Sequence, residues 1–190
     1  MTKAAEHTKP TQAQTSLMSA LEALLCEKPL ANIDVKQLCS CAHVARSTFY
    51  AYYRNVDELM EQLEDSHVEK LRGLNEWIVT EKSLDAKSVR AYRPTLQYIS
   101  DNAEFFYAEL AVHHNGRLSE KWKNAIKSHL ARRFGNAAHA TKRFEFAIEV
   151  VSSAVISACV YWLKNPDAMS EEDVFVMLER VFGLLASDID

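Results

Sequence analysis

Helix punctuation recurs along this chain, and its spacing is the strongest constraint on what the chain can fold into. Thr11 followed by Gln14 makes a capping box, and the same start signal returns at Asp34 with Gln37 and at Asn55 with Glu58. Stops lie between these starts. Lys28-Pro29 ends a helix whose apolar stripe is Leu17, Leu21, Leu24 and Leu25, and the tight turn Ala42-His43-Val44 splits two short helices. Val35, Leu38 and Ala42 share one face of the second helix, the third runs about 45–52, and the fourth continues to about Trp77. Beyond the stretch 81–93 the helices lengthen, to about 94–102, 103–113, 118–134, 138–164 and 170–187. Pro94 suits a first helical turn, Asn165-Pro166 is a stop, and Ser170 with Asp173 is a weaker start. No convincing period-2 strand occurs, and 4 Gly and 4 Pro in 190 residues leave little turn chemistry for a strand-rich sandwich. The expected fold class is all-α.

A composition of 48% apolar and 25% charged residues supplies a real core, and a net charge of −4 is too small to hold such a chain open. The polar start, Met1 to Thr15, has no apolar signal region. The most apolar stretch, Phe144 to Leu163, is interrupted by Glu145, Glu149, Ser152, Ser153 and Ser157, so it reads as a buried or interfacial helix and not a membrane span. Cys26, Cys39, Cys41 and Cys159 form neither a CxxC pair nor a disulfide scaffold. The expected location is the cytoplasm, with no membrane partner.

Three short helices within about 40 residues, the last two split by a tight turn, describe a helix-turn-helix. Reading DNA requires a narrow rigid rod in the major groove, and a helix braced at an angle by another supplies one. In Arg46-Ser47-Thr48-Phe49-Tyr50-Ala51-Tyr52-Tyr53, Phe49 and Tyr53 stand i, i+4 and anchor an inner face. Arg46, Ser47, Thr48, Tyr50 and Tyr52 offer donors for bases and phosphates. Tyr50 and Tyr52 diverge by about 200° and so cannot both lie in the core.

At these residues the chain resembles the tetracycline-repressor (TetR) family of transcription regulators. The matching runs are Ile33-Asp34-Val35-Lys36-Gln37-Leu38, Ala42 through Tyr53, and Asp57-Glu58-Leu59. They correspond to the family's capped second helix, Ala-Gly-Val-Ser turn, Thr-Phe-Tyr recognition helix and acidic-Leu start of the fourth helix. The match covers about residues 15 to 62; the remainder agrees in helix count and length, with a vaguer likeness to regulators of dihydroxyacetone-kinase type. The resemblance implies a helix-turn-helix DNA-binding domain over 10–56 and a helical regulatory and dimerisation domain over 57–190. It implies a homodimer that reads palindromic double-stranded DNA, more often as a repressor released by a small-molecule effector. By position, Arg46 and Ser47 would face bases, and Thr48, Tyr50 and Tyr52 would hold phosphates or flanking bases. A helical adaptor or coactivator of the same fold, acting through a protein partner with weak or no DNA binding, is the competing expectation.

Three positions depart from the family pattern. His43 replaces the turn glycine, which the turn tolerates at about 1–2 kcal/mol of strain because His accepts positive φ. Ala45 replaces a Ser or Thr cap, forgoing about 1 kcal/mol. Val56 replaces a lysine and removes one phosphate contact. Charge bears on the same point. Residues 1–60 hold six Lys/Arg and six Asp/Glu, while 61–190 hold sixteen and twenty, so the −4 lies in the second stretch and the first is neutral. Lys3, Lys9, Lys36, Arg46 and Arg54 supply the local cations that phosphate binding needs, and dimerisation doubles them.

Other chemistry is thinly represented. Cys39 and Cys41 stand i, i+2 on one helix, so their sulfurs diverge, and with His43 they do not chelate one ion; buried small hydrophobes is the expected role. His113-His114 forms no metal motif, no Gly-rich phosphate loop occurs, and no Ser/His/Asp or paired-carboxylate spacing supports an enzyme. No cofactor and no metal are expected. Tyr98, Phe105, Phe106, Trp122, Phe134, Phe144 and Phe146 are enough to line an apolar cavity, though none is assigned to a ligand. Phe144, Ile148, Val151, Val155, Ala158 and Trp162 form one stripe, and Val174, Met177, Leu178, Val181, Leu184 and Leu185 line the final helix. From these, Ile148, Val151, Val155, Ala158, Trp162, Met177, Val181 and Leu184 are the expected dimer interface, as a four-helix bundle between two protomers.

Overall fold

The computed structural model describes residues 10–76, 90–134 and 141–186. Among these the regular structure is helical: α1 (Gln12–Glu27), α2 (Val35–Ala42), α3 (Arg46–Tyr52), α4 (Val56–Asn75), α5 (Arg93–Asp101), α6 (Ala103–Phe106), α7 (Gly116–Phe134), α8 (Lys142–Lys164) and α9 (Glu171–Ala186). The chain forms two compact units, Met1–Leu63 and Glu64–Asp190, so the division falls inside α4.

Local chemistry sets the first unit. Thr11 Oγ1 accepts from the Gln14 amide at 3.3 Å while the Thr11 amide donates to Gln14 Oε1 at 3.0 Å, the reciprocal capping box that opens α1. Leu17, Leu21 and Leu25 follow at helical spacing, fully buried, and α1 packs against α2 and α3. Asp34 caps α2 by accepting from the Gln37 amide at 2.8 Å, and Asn55 opens α4 by accepting from the Glu58 amide at 2.9 Å. α2 ends where the Val44 amide donates to the Cys39 carbonyl and the His43 amide to the Ser40 carbonyl, a Schellman closure. That closure needs a left-handed residue, and His43 takes it at φ 53°, ψ 39°.

In the second unit α8 packs between α7 and α9, and α9 also meets α5. By length and composition α8 is apolar enough to cross a membrane. Its Ile148, Val151, Ile156, Cys159 and Trp162 are nevertheless buried in the protein, as in the core helix of a folded domain. Ser170 and Asp173 open α9 with reciprocal bonds, the Asp173 amide to Ser170 Oγ at 3.2 Å and the Ser170 amide to Asp173 Oδ2 at 2.9 Å.

The span expected as one regular helix, 103–113, is instead the single turn α6 followed by a π turn, Tyr107–Val112. Its end is irregular: the His113 amide donates to the Ala108 carbonyl at 2.8 Å, the Asn115 amide to the Glu109 carbonyl at 2.7 Å, and His114 stands at φ 52°. The reward for leaving the α register is electrostatic. Asn115 Nδ2 reaches Glu64 Oε1 at 2.9 Å and Glu109 Oε2 at 2.8 Å, two carboxylates that are fully or almost fully buried. Arg117 Nε donates to both oxygens of Glu64, at 2.9 and 2.7 Å, Lys121 Nζ lies 3.1 Å from it, and His113 Nδ1 lies 2.9 Å from Glu109. Buried carboxylates persist only when paired and hydrogen-bonded in this way.

Candidate functional site

α3 is a two-faced rod. Phe49 and Tyr53 pin its inner side, with Phe49 wholly inaccessible and the Tyr53 hydroxyl bonded to Gln62. Burial pushes the Tyr53 hydroxyl's pKa up, so it stays protonated as a donor. The outer side carries Arg46 and Ser47, both exposed, with Tyr50 and Tyr52 at 54% and 42% exposure. Thr48 is half-buried at the edge of this face. Phe49 meets the Tyr50 ring edge-on, with ring centroids 5.3 Å apart.

The other cations differ in their engagements. Lys36 is exposed on α2. Arg54 is exposed but turned toward Glu58, its amide donating to Glu58 Oε2 at 2.6 Å and its Nε lying 3.3 Å from the same oxygen. Those contacts hold the Glu58 carboxyl below its ordinary pKa. Lys3 and Lys9 lie outside the described residues. Ala45 supplies no side-chain cap, as its methyl dictates, and Val56, at the position where the resemblance leads one to expect a lysine, is buried. Cys39 is buried but Cys41 is exposed, which corrects the expectation of two buried thiols: the i, i+2 divergence that rules out chelation also sends one of them to solvent.

The second unit holds a partly open pocket of about 60 Å³, lined mainly by apolar side chains including Leu71, Leu96, Ile99, Trp122, Leu130 and Phe182. Of the aromatics expected to line a cavity, Trp122 does so. Phe105 and Phe106 pack instead around His67, Phe146 is exposed, and the Phe134 side chain lies outside the described residues. At the polar end, Arg133 Nη1 donates to Tyr92 Oη at 2.8 Å, and that oxygen lies 2.9 Å from His129 Nε2. His129 is 5% exposed, and its Nδ1 is the buried side-chain atom without a hydrogen-bond partner among the described residues. Desolvation, followed by the charges of Arg133 and Arg132, drives its pKa down to about 4, so the ring is neutral near pH 7. Thr95 and Asn75, also on the wall, satisfy each other at 2.7 Å. Sequence reasoning missed Tyr92 and His129, because a polar residue on an amphipathic helix is read as outward-facing.

The expected dimer residues divide. Ile148, Val151 and Trp162 are buried in their own unit, Val155, Ala158 and Val181 are half-buried, Met177 is exposed, and the Leu184 side chain lies outside the described residues. Opposite them, α8 carries a second apolar stripe at Phe146, Val150 and Tyr161, with 68%, 49% and 59% exposure.

The comparisons with known proteins agree with this architecture. Residues 90–183 match a TetR family model described as "Transcriptional regulator C-terminal region". No curated protein matches the chain in sequence. Among solved structures, a putative TetR-family transcriptional regulator from Syntrophomonas wolfei is similar with a TM-score of 0.69 at 14% identity, over 92% of this chain and 95% of that one. The dihydroxyacetone kinase operon activator DhaS is similar with a TM-score of 0.64 at 15% identity, over 93% and 96%. The TetR family repressor AlkX from Dietzia sp. is similar with a TM-score of 0.60 at 14% identity, over 93% and 97%. At these identities the likeness is one of fold. With the family model over the C-terminal helices and the helix-turn-helix at the other end, the chain belongs to the TetR family of transcription regulators.

Proposed function

We propose that the protein is a cytoplasmic, homodimeric regulator that binds palindromic double-stranded DNA through α3 and is released by a small-molecule effector, acting as a repressor rather than as an enzyme. The observation that carries the reading is the division of α3: its aromatic anchors Phe49 and Tyr53 are buried while Arg46, Ser47, Tyr50 and Tyr52 are presented outward. Arg46 and Ser47 read base edges; Thr48, Tyr50 and Tyr52, with Lys36 and Arg54, hold phosphates or flanking bases. Two copies related by a twofold axis place their recognition helices in successive major grooves about 34 Å apart, and an effector that repacks the second unit breaks that spacing. For the dimer face the exposed stripe Phe146, Val150 and Tyr161, with Met177, is the apolar surface available to a second copy without unpacking the protomer.

A gel shift against the chain's own upstream DNA, across a salt series, tests the reading. Specific, salt-sensitive binding is expected, weakened at least tenfold by Arg46→Ala or Tyr50→Ala. Specific binding indifferent to both substitutions sinks it.

A second reading, an adaptor that acts through a protein partner, draws on Val56. Its burial withdraws one cation from the phosphate-facing side, and DhaS, of similar fold, is an activator. Absence of salt-sensitive binding at any upstream sequence favours that reading.

A further inference from the structure

We propose that the open groove where α6 meets the end of α8 and the start of α9 binds an amphiphilic organic cation, an ammonium group with a hydrogen-bond acceptor a few atoms away and an apolar tail. The groove is separate from the pocket beside Tyr92, and its occupation does not depend on whether α3 binds DNA.

Charge sets the sign of the ligand. Residues 100–107 and 164–173, which supply most of the groove, carry six Asp/Glu and one Lys, a net −5 beside −4 for the whole chain. Glu172 is neutralised by Arg93, while Asp101 and Asp173 accept from the uncharged Gln97 and Ser170. Glu104 and Glu171 line the groove itself, and their carboxylates meet no cation or donor among the described residues. Lys164 is the single cation among the lining residues; it is exposed, and its long stem carries the ammonium out to water. Among the described residues no three His, Cys, Asp or Glu side chains stand together to hold a metal ion, so the cation that fits is organic.

The floor narrows the ligand further. Trp162 is 7% exposed, and its indole N–H donates to no group among the described residues. That N–H is not sealed from solvent, since the fully enclosed side-chain atom without a partner among those residues is His129 Nδ1. The open space that Trp162 borders is this groove. An indole N–H only donates, so the ligand atom that meets it is an acceptor. Tyr107, 43% exposed, adds a second aromatic ring, and Met169 and Pro166 add apolar contact. An ammonium beside aromatic rings and carboxylates is held twice, by the ring quadrupole and by opposite charge. About 580 Å³ falls within the roughly 300–1,000 Å³ of small-molecule sites, room for an ammonium ester with a short chain.

The test uses full-length protein without DNA, and two probes of nearly equal shape, butyrylcholine and 3,3-dimethylbutyl butyrate, in which a quaternary carbon replaces the nitrogen. Titrations followed by NMR at low salt are expected to show the cation binding about tenfold more tightly, the ratio that an ammonium held by rings and carboxylates supports. In the double variant Glu104→Gln with Glu171→Gln the ratio falls to about two or less, while unchanged binding of the neutral ester shows that the groove is intact. In the unsubstituted protein the Trp162 indole N–H signal, identified by its loss in Trp162→Phe, moves on saturation with either ester, since both carry the carbonyl. Equal binding of the two probes, a ratio that survives the double substitution, or a Trp162 signal unmoved at saturation overturns the proposal. A chain that binds neither probe, because a second copy covers the groove, overturns it as well. None of these outcomes turns on Arg46→Ala or Tyr50→Ala, which test DNA binding.

Discussion

His43 shows how one residue sets the angle between two helices. The Schellman closure of α2 demands a left-handed residue, and His43 supplies it at φ 53° with a side chain on a backbone that favours glycine. His43→Gly is expected to raise stability by about 0.5–1 kcal/mol, the strain relieved being partly offset by the freer unfolded chain. Ala45→Ser should add about 1 kcal/mol by capping α3. Urea midpoints at neutral pH, with an unchanged slope, check both, and a loss of stability in either contradicts the cap geometry. These positions were legible in the sequence because caps are local: Thr11, Asp34 and Asn55 each meet an amide three residues on. The outward placement of Tyr50 and Tyr52 was legible for a similar reason, from helical angle alone. His67 and His129 were not, since their burial is set by residues some thirty or more positions away, Tyr98 against His67 and Tyr92 against His129.

At the level of elements, α4 and α7 are joined by charge. Glu64 is fully buried against Arg117, Lys121 and Asn115, while its neighbour Asp65 meets Lys121 from an exposed position. Glu64→Ala leaves those donors unanswered and is expected to destabilise by on the order of 3 kcal/mol, whereas Asp65→Ala should fall within about 0.5 kcal/mol. Chemical denaturation of the two variants distinguishes them, and near-equal losses would mean that the buried pair contributes no more than a surface one. The apolar stripe on α8 shows the limit of pattern reading at this scale. The helix is apolar nearly all round, so the sequence carries two candidate stripes, and only the packing of α7 and α9 shows that Ile148, Val151 and Trp162 face inward. Phe146, Val150 and Tyr161 are left outside.

For the whole molecule, that outer stripe and the buried histidines give two measurements. Phe146→Glu with Tyr161→Glu is expected to yield a folded monomer at micromolar concentration by sedimentation, where the parent chain is expected to sediment as a dimer; a double variant that still dimerises places the interface elsewhere. Stability should also fall in mild acid. Burial lowers the pKa of His67 and of His129 from 6.5 to about 4. Between those values the unfolded chain takes up protons that the folded chain refuses, so stability is complete above about pH 6.5 and declines toward pH 4. Each histidine contributes a slope of up to about 1.4 kcal/mol per pH unit. Glu149, held down to about 2 by hydrogen bonds from Lys123 and Lys127, joins only below its ordinary 4.5. Urea midpoints between pH 7 and 5 therefore report the histidines, and His129→Phe should roughly halve the slope; a flat profile contradicts their neutral burial.

The π turn at Tyr107–Val112 bears on how this chain tolerates changes of length. A π turn holds one residue more than the α-helix it interrupts. Deleting a single residue between Glu109 and Asn115 would shorten the closure in which the Asn115 amide donates to the Glu109 carbonyl. Asn115 would then leave Glu64 and Glu109, and two buried carboxylates would lose their shared donor. Single-residue deletions are usually best absorbed where the backbone is irregular, but in this segment the irregularity is what carries Asn115 to both acids, so a deletion scan should find it less forgiving than the regular turns of α7.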